Sequence, residues 1–167
     1  MSVINFKEWL KLQGKVMLWA EDARSRKTKE PNKYIYGVSD EKNRIFLFID
    51  GTRFLEMPME WWYLDNERTF RNLRLPIENP EKIYAKESLV EDRKPLTDSG
   101  ITRTVPKGEV KIYLNDNGEE IAFNKKYIEE FGKIFVDGFE LRGTKPNQLA
   151  EVWSSGGRMG AILPVKL

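Results

Sequence analysis

The sequence predicts an α+β fold with two helices and antiparallel sheets. Two stretches place apolar residues at helical spacing, one opening at Phe6 and one at Lys125. Each is followed by three short runs rich in β-branched and aromatic residues, separated by turn-forming Gly, Asn, Asp and Pro. The plan of a helix and then three strands therefore occurs at both ends of the chain. Between the two ends, residues 72–108 hold Pro76, Pro80, Pro95 and Pro106 among many charges. That stretch reads as a connector with little core of its own. The expected organisation is a single domain over 1–167, with a first half at 1–71, the connector at 72–108 and a second half at 109–167.

The first helix is expected from Phe6 to about Asp22. At roughly 100° per residue, Phe6, Trp9, Leu10, Gln13, Val16, Met17 and Ala20 share one broad face. Lys7, Lys11 and Lys15 fall opposite it. Gly14 weakens a helix by about 1 kcal/mol against alanine, which leaves open a break before a strand near Lys11–Val16. Like charges at i, i+4 repel, so the lysine stripe is either a solvated face or a face for an anionic partner. A basic loop follows, with Arg24, Arg26, Lys27, Lys29 and Lys33. Pro31 and its polar neighbours exclude a strand there; the loop either holds phosphate or is solvated surface.

Tyr34–Val38 and Arg44–Ile49 read as strands joined by a polar turn, and Asp50-Gly51 turns the chain into a third strand ending at Pro58. Glu60–Leu64 is an aromatic cluster, either a staple onto the core or a partner contact. Gly108–Phe123 reads as a hairpin in which Val110–Leu114 alternates and Asn117-Gly118 supplies a two-residue turn. Asn115–Gly118 lacks the spaced ligands and closing glutamate of a calcium loop. Asn124 reads as an N-cap, and Tyr127, Ile128 and Phe131 as one apolar stripe on the helix it opens. Strands are expected at Phe139–Leu141, Leu149–Trp153 and Met159–Leu167, with turns at Gly143 to Pro146 and at Ser154–Gly157. The glycines before Arg158 are not followed by the Gly-Lys-Ser/Thr of a phosphate loop.

Composition narrows the function classes. At 167 residues, with 40% apolar and 12% aromatic residues, the chain can bury a core. No apolar run approaches a membrane span, and the first residues lack the basic-then-apolar pattern of a signal peptide, so no membrane partner and a cytoplasmic location are expected. Absence of cysteine removes disulfides, a thiol nucleophile and thiolate metal sites. Absence of histidine removes the commonest general base and transition-metal ligand. The expectation is a non-enzyme with no catalytic residues, no metal and no cofactor. Net charge is only +2, so any DNA contact must come from local patches.

Specific strings then point to a family. The order "IAFNKKYIEEF", "GFELRGTKP" and "AILPVKL" resembles the closing half-domain of the bacterial DNA sliding clamp, the DNA polymerase III beta subunit. Earlier, "FIDGTRFLEMP" is similar to the "A-T-D-G-H-R-L-A…M-P" segment of that clamp's middle domain. Asp50, Gly51 and Arg53 match, whereas Thr52 stands where the family has histidine and Ile49 where it has threonine. The 72–108 stretch also departs from the tighter joint of the family.

The resemblance implies a DNA-clamp-like domain of two β-α-β-β-β halves, of the kind a phage or mobile element carries. Such domains hold duplex DNA without reading sequence, through cations on inner helices. Carried over, the DNA-binding candidates are Lys7, Lys11, Lys15, Arg24, Arg26, Lys27, Lys125 and Lys126. The family also seats a linear peptide of replication proteins in an apolar pocket. The matching partner-binding positions are Ile49, Gly51, Thr52, Arg53 and Phe54, with Leu163, Pro164, Val165 and Leu167. A clamp ring has six such domains, so this chain would encircle DNA only as a homo-oligomer of about six copies. The implied role is a clamp-like replication accessory or partner-binding module. The alternative is a phage-encoded binding inhibitor of a host nucleic-acid enzyme or defence protein, with no sliding.

Overall fold

The computed structural model describes residues 4–24, 34–39, 43–49, 51–62, 80, 82–85 and 93–167. It is mixed α+β, and its strands pair antiparallel. The chain divides into two compact units, Phe6–Lys82 and Met1–Asn5 with Ile83–Leu167. The division falls inside the stretch read as a connector, which places Ile83 onward in the second unit. No helix among the described residues is long and apolar enough to cross a membrane.

In the first unit, helix α1 runs Phe6–Arg24 without a break at Gly14. Its buried stripe is Trp9, Leu12, Gln13, Val16, Trp19 and Ala20. The expected face is thus rotated: Phe6 and Leu10 are exposed, and Leu12 and Trp19 take their place. The aromatic cluster explains the rotation. A 3-10 turn, Met59–Trp61, presents its Trp61 carbonyl to both Trp9 Nε1 (2.9 Å) and Gln13 Nε2 (3.0 Å). Trp62 meets the Trp9 ring edge-on at 6.0 Å, so Trp61 and Trp62 act as the staple; Tyr63 and Leu64 lie outside the described residues. Strands β1 (Ile35–Ser39), β2 (Arg44–Ile49) and β3 (Arg53–Pro58) form an antiparallel meander. The β2-β3 register runs from Arg44↔Pro58 to Ile49↔Arg53. Gly51 sits in their connection at φ 77°, a conformation that glycine adopts without strain.

The second unit begins with Ile4, which bridges to Phe135, and with Asn5, whose N–H donates to the Ile134 carbonyl at 2.7 Å. A helical turn at Lys82–Ala85 is followed by β4 (Lys94–Pro95), β5 (Thr97–Val105), β6 (Gly108–Leu114) and β7 (Glu120–Asn124). Helix α2 (Lys125–Ile134) comes next, then β8 (Glu140–Gly143), β9 (Ala150–Ser154) and β10 (Gly157–Ile162). Strands β5, β6 and β7 make a three-stranded sheet in that order, and β10, β9, β8 and β4 are successive neighbours. The expected connector therefore contains two strands. Its β5 has almost no buried residue, which is why alternation did not reveal it.

Local chemistry accounts for these elements. Asn124 accepts from the Lys126 N–H at 2.9 Å, capping α2. The buried stripe of α2 is Ile128, Phe131 and Ile134; Tyr127 is only half-buried. The β6-β7 connection is a five-residue loop rather than a two-residue turn, because Leu114 pairs with Glu120. Asn115 organises it: its Oδ1 accepts from the N–H groups of Asn117 (3.0 Å) and Glu119 (2.8 Å), while its Nδ2 donates to the Thr144 carbonyl at 2.8 Å. At Gly143 an added Cβ would lie 3.2 Å from Leu96 Cδ1, so glycine lets Leu96 close over β8. Strand β10 stops at Ile162, short of the expected Leu167. Val165 pairs along the edge of β7, where its N–H donates to the Ala122 carbonyl at 2.8 Å, and its side chain packs against Val110, Ile112 and Ala122.

Candidate partner-binding and nucleic-acid surfaces

The cations expected to hold DNA separate into three groups. Lys7, Lys11 and Lys15 project to solvent from α1. Lys11 pairs with Glu8 at 3.3 Å, whereas Lys7 and Lys15 carry no ion pair among the described residues. Leu10 and Leu18 are exposed on the same outer side, Leu18 at 67%. Lys125 and Lys126 open α2 in the second unit. Lys125 bonds Glu109 at 2.9 Å, and that bond, followed by the glutamate's charge, raises its pKa. A cation at a helix N-terminus runs against the helix dipole, and Glu109 offsets this from the neighbouring sheet. Lys126 is exposed and unpaired among the described residues. Arg24 closes α1; Arg26 and Lys27, with Asp50 of the Asp-Gly turn, lie outside the described residues.

The apolar candidates behave differently in the two units. Ile49 and Phe54 are buried, with Phe54 packed on the rings of Phe48 (4.8 Å) and Phe46 (6.0 Å). Arg53 is buried too, so only Gly51 and Thr52 of that segment meet solvent. At the other end, Leu163 is 39% and Leu167 64% exposed, with Pro164 and Val165 half-buried between them. Val165 and Leu167 line a groove of about 370 Å³ whose other wall is Ala122, Pro146 and Asn147. Of the nine apolar-site positions, the second unit thus brings together two in an open groove, and β2-β3 takes three into its core.

Two features were not anticipated. The first is a buried ionic centre. Glu151 of β9 pairs with Arg93 (3.2 Å) and Arg158 (3.4 Å) and accepts from Trp153 Nε1 (3.1 Å). Arg93 also donates to the carbonyls of Leu149 (3.1 Å) and Tyr84 (2.8 Å), and the Arg158 guanidinium stacks 3.4 Å over the Tyr84 ring. Every polar group there is answered, which marks it as a structural clamp on the Lys82–Ala85 turn. The second is a groove of about 600 Å³ between β5, α2 and the start of β8. Leu96, Ile128, Phe139 and Leu141 give it an apolar floor, and Asp98, Lys111, Tyr113, Lys125, Glu129 and Glu140 give it polar walls. Asp98 pairs with Lys111 at 3.2 Å and accepts from the Gly100 N–H at 2.9 Å; the backbone bond, ahead of the lysine, holds its carboxyl below the usual range. Burial and then the Asp98 charge push the Tyr113 phenol up to about 12. Asp98 and Tyr113 face each other across the β5-β6 ladder, a pairing that hydrophobic alternation does not signal because β5 has no buried face.

Comparison of the chain with protein-family models, with curated proteins and with solved structures gave no match.

Proposed function

We propose that the chain is a non-enzymatic, sliding-clamp-like replication accessory that works by docking partners. In this reading the apolar run Leu163–Leu167 receives a segment of a replication protein, and the basic helix faces touch the DNA backbone without reading sequence. The observation that carries the docking role is the C-terminal run itself. Val165 is pinned to the sheet by a 2.8 Å backbone bond, Leu167 stays exposed at an open groove, and Leu163 on the other side of Val165 is exposed as well. Apolar side chains held outward by a fixed backbone are what a partner's anchor requires. Lys7 and Lys15, unpaired among the described residues on the outer side of α1, support the DNA role.

A second reading, a binding inhibitor of a host nucleic-acid enzyme or defence protein, draws on Lys11 and Lys125. Both already have carboxylate partners, which lowers what they offer phosphate. Absolute mass by light scattering, with closed-circular and then linear duplex DNA, separates the two. A species of about six copies retained on circles, lost from linear ends and abolished by Lys7→Glu with Lys15→Glu supports the clamp reading. A monomer or dimer indifferent to DNA overturns sliding. If Leu163→Ser with Leu167→Ser then abolishes capture of one host protein, the inhibitor reading stands.

A further inference from the structure

We infer that the groove between β5, α2 and β8 is a second docking site, for a short peptide segment with an apolar anchor and a flanking basic side chain. It is distinct from the C-terminal groove and does not depend on the clamp reading.

The groove exists because one helix cannot cover three strands. A helix is about 10 Å across and strands lie about 4.8 Å apart, so α2 spans roughly two of them. It packs on β6 and β7 and leaves the inner side of β5 open. The walls of the resulting trough are fixed by a ten-residue capped helix and a strand ladder, so the site needs no closure to form.

Tyr113 and Gly132 each leave something open toward the groove; the Tyr113 ring packs edge-on against Phe123 at 5.5 Å, but its hydroxyl is not used by the fold. Tyr113 is only 6% exposed, lines the groove and makes no hydrogen bond among the described residues. The hydroxyl is not among the buried side-chain atoms without a partner, so it opens to the groove, where it is free to donate. Gly132 stands in the α2 interior, where glycine is a poorer helix former than alanine. An added Cβ there would meet nothing within 4 Å, so no internal contact requires glycine. Its bare backbone lines the trough and admits a chain that a larger residue would block.

Charge selects the occupant. Among the wall residues Asp98, Glu129 and Glu140 outnumber Lys111 and Lys125. Asp98 is bound to Lys111 (3.2 Å), Glu140 to Arg142 (2.5 Å) and Lys125 to Glu109 (2.9 Å), so the wall carboxylate left to select an occupant is Glu129. Glu129 has no ion pair among the described residues, only the field of Lys125. A peptide carbonyl accepting from Tyr113, an apolar side chain on Leu96 and Phe139, and a lysine or arginine beside Glu129 would answer each open valence.

The test is an NMR titration of the full chain with a capped tetrapeptide, leucine and phenylalanine between two lysines, against its glutamate-flanked twin. Saturable shifts confined to residues 98–102, 113 and 129–132, with the basic peptide about tenfold tighter, are expected. Tyr113→Phe should weaken binding about fivefold. Gly132→Leu should abolish it while the thermal midpoint holds or rises, and Glu129→Lys, at an exposed position, should reverse the preference toward the acidic twin. Equal affinity for the two peptides, indifference to Gly132→Leu and Glu129→Lys, or shifts centred on 165–167 would overturn the assignment.

Discussion

The two sides of the small sheet in the second unit share a ladder and a register and differ in one respect. Over β6 and β7 lies α2; over β5 no helix packs among the described residues. On the covered side Ile121 and Phe123 are fully buried, and Phe131 of α2 packs with Phe135 and Phe139 at 6.3 and 5.8 Å. On the uncovered side Thr97, Asp98, Thr102 and Thr104 are exposed, and β5 is held by its ladder and polar links: Lys111–Asp98 at 3.2 Å, and a two-pronged Arg103–Glu120 bond at 2.5 and 2.7 Å. Side chains thus follow the cover and not the ladder. Stability is concentrated under the helix, and an open groove is left beside it.

The contrast is broken most severely from its covered side. Phe131→Ala removes a fully buried ring and leaves a cavity, so it should cost about 3–5 kcal/mol. Thr104→Ala on β5 should stay within about 0.5 kcal/mol. Urea unfolding midpoints of the two variants measure the difference; comparable losses would mean that β5 carries core. Next in size, Asn124→Ala removes the bond to the Lys126 N–H and should cost about 1 kcal/mol. It should also loosen Ile128 and Phe131 against the sheet, visible as faster hydrogen exchange in α2 while β5 is unchanged.

That asymmetry also decided what the sequence reveals. Both helices, the Asn124 cap and the strands at the two ends were readable, because covered elements write their period into apolar positions. Strand β5 was not. "TDSGITRTV" has no apolar face to alternate, since neither face is buried. The α1 stripe was found but rotated: Phe6 and Leu10 fit the period as well as Leu12 and Trp19 do, and only the Trp61 carbonyl, far along the chain, chooses between them. The lysine stripe of α1 was readable as exposed, since i, i+4, i+8 spacing fixes a face. The Tyr113 groove was not, because it is made by the β5-β6 register. Arg93 was likewise hidden in the charged stretch before β5, although its bonds to Tyr84, Leu149 and Glu151 make it one of the best-tied side chains.

A smaller change sharpens the comparison from the open side. Gly132→Ala should stabilise the chain by up to about 1 kcal/mol, since the methyl group meets nothing and the helix gains propensity. A raised thermal midpoint would establish that this glycine does not serve the fold. A lowered one would place an internal contact over Gly132 and remove the reason for reading it as part of a trough.

The smallest effect at neutral pH belongs to Tyr113→Phe. Its hydroxyl makes no hydrogen bond among the described residues, so its loss should shift stability by no more than about 0.5 kcal/mol. The alkaline limb should differ. Tyr113 is raised from 10.0 to about 12, first by burial and then by the Asp98 charge. Its native contribution is therefore complete below pH 10 and is lost as pH climbs toward 12, because the unfolded chain releases that proton first. Burial raises Tyr36 as well, so the variant should flatten the alkaline fall without removing it. Urea midpoints measured from pH 8 to the alkaline limit supply the comparison. Parallel curves would mean that the phenol ionises as freely in the fold as in the unfolded chain, and a wet, open Tyr113 would not be the donor at the floor of a docking groove.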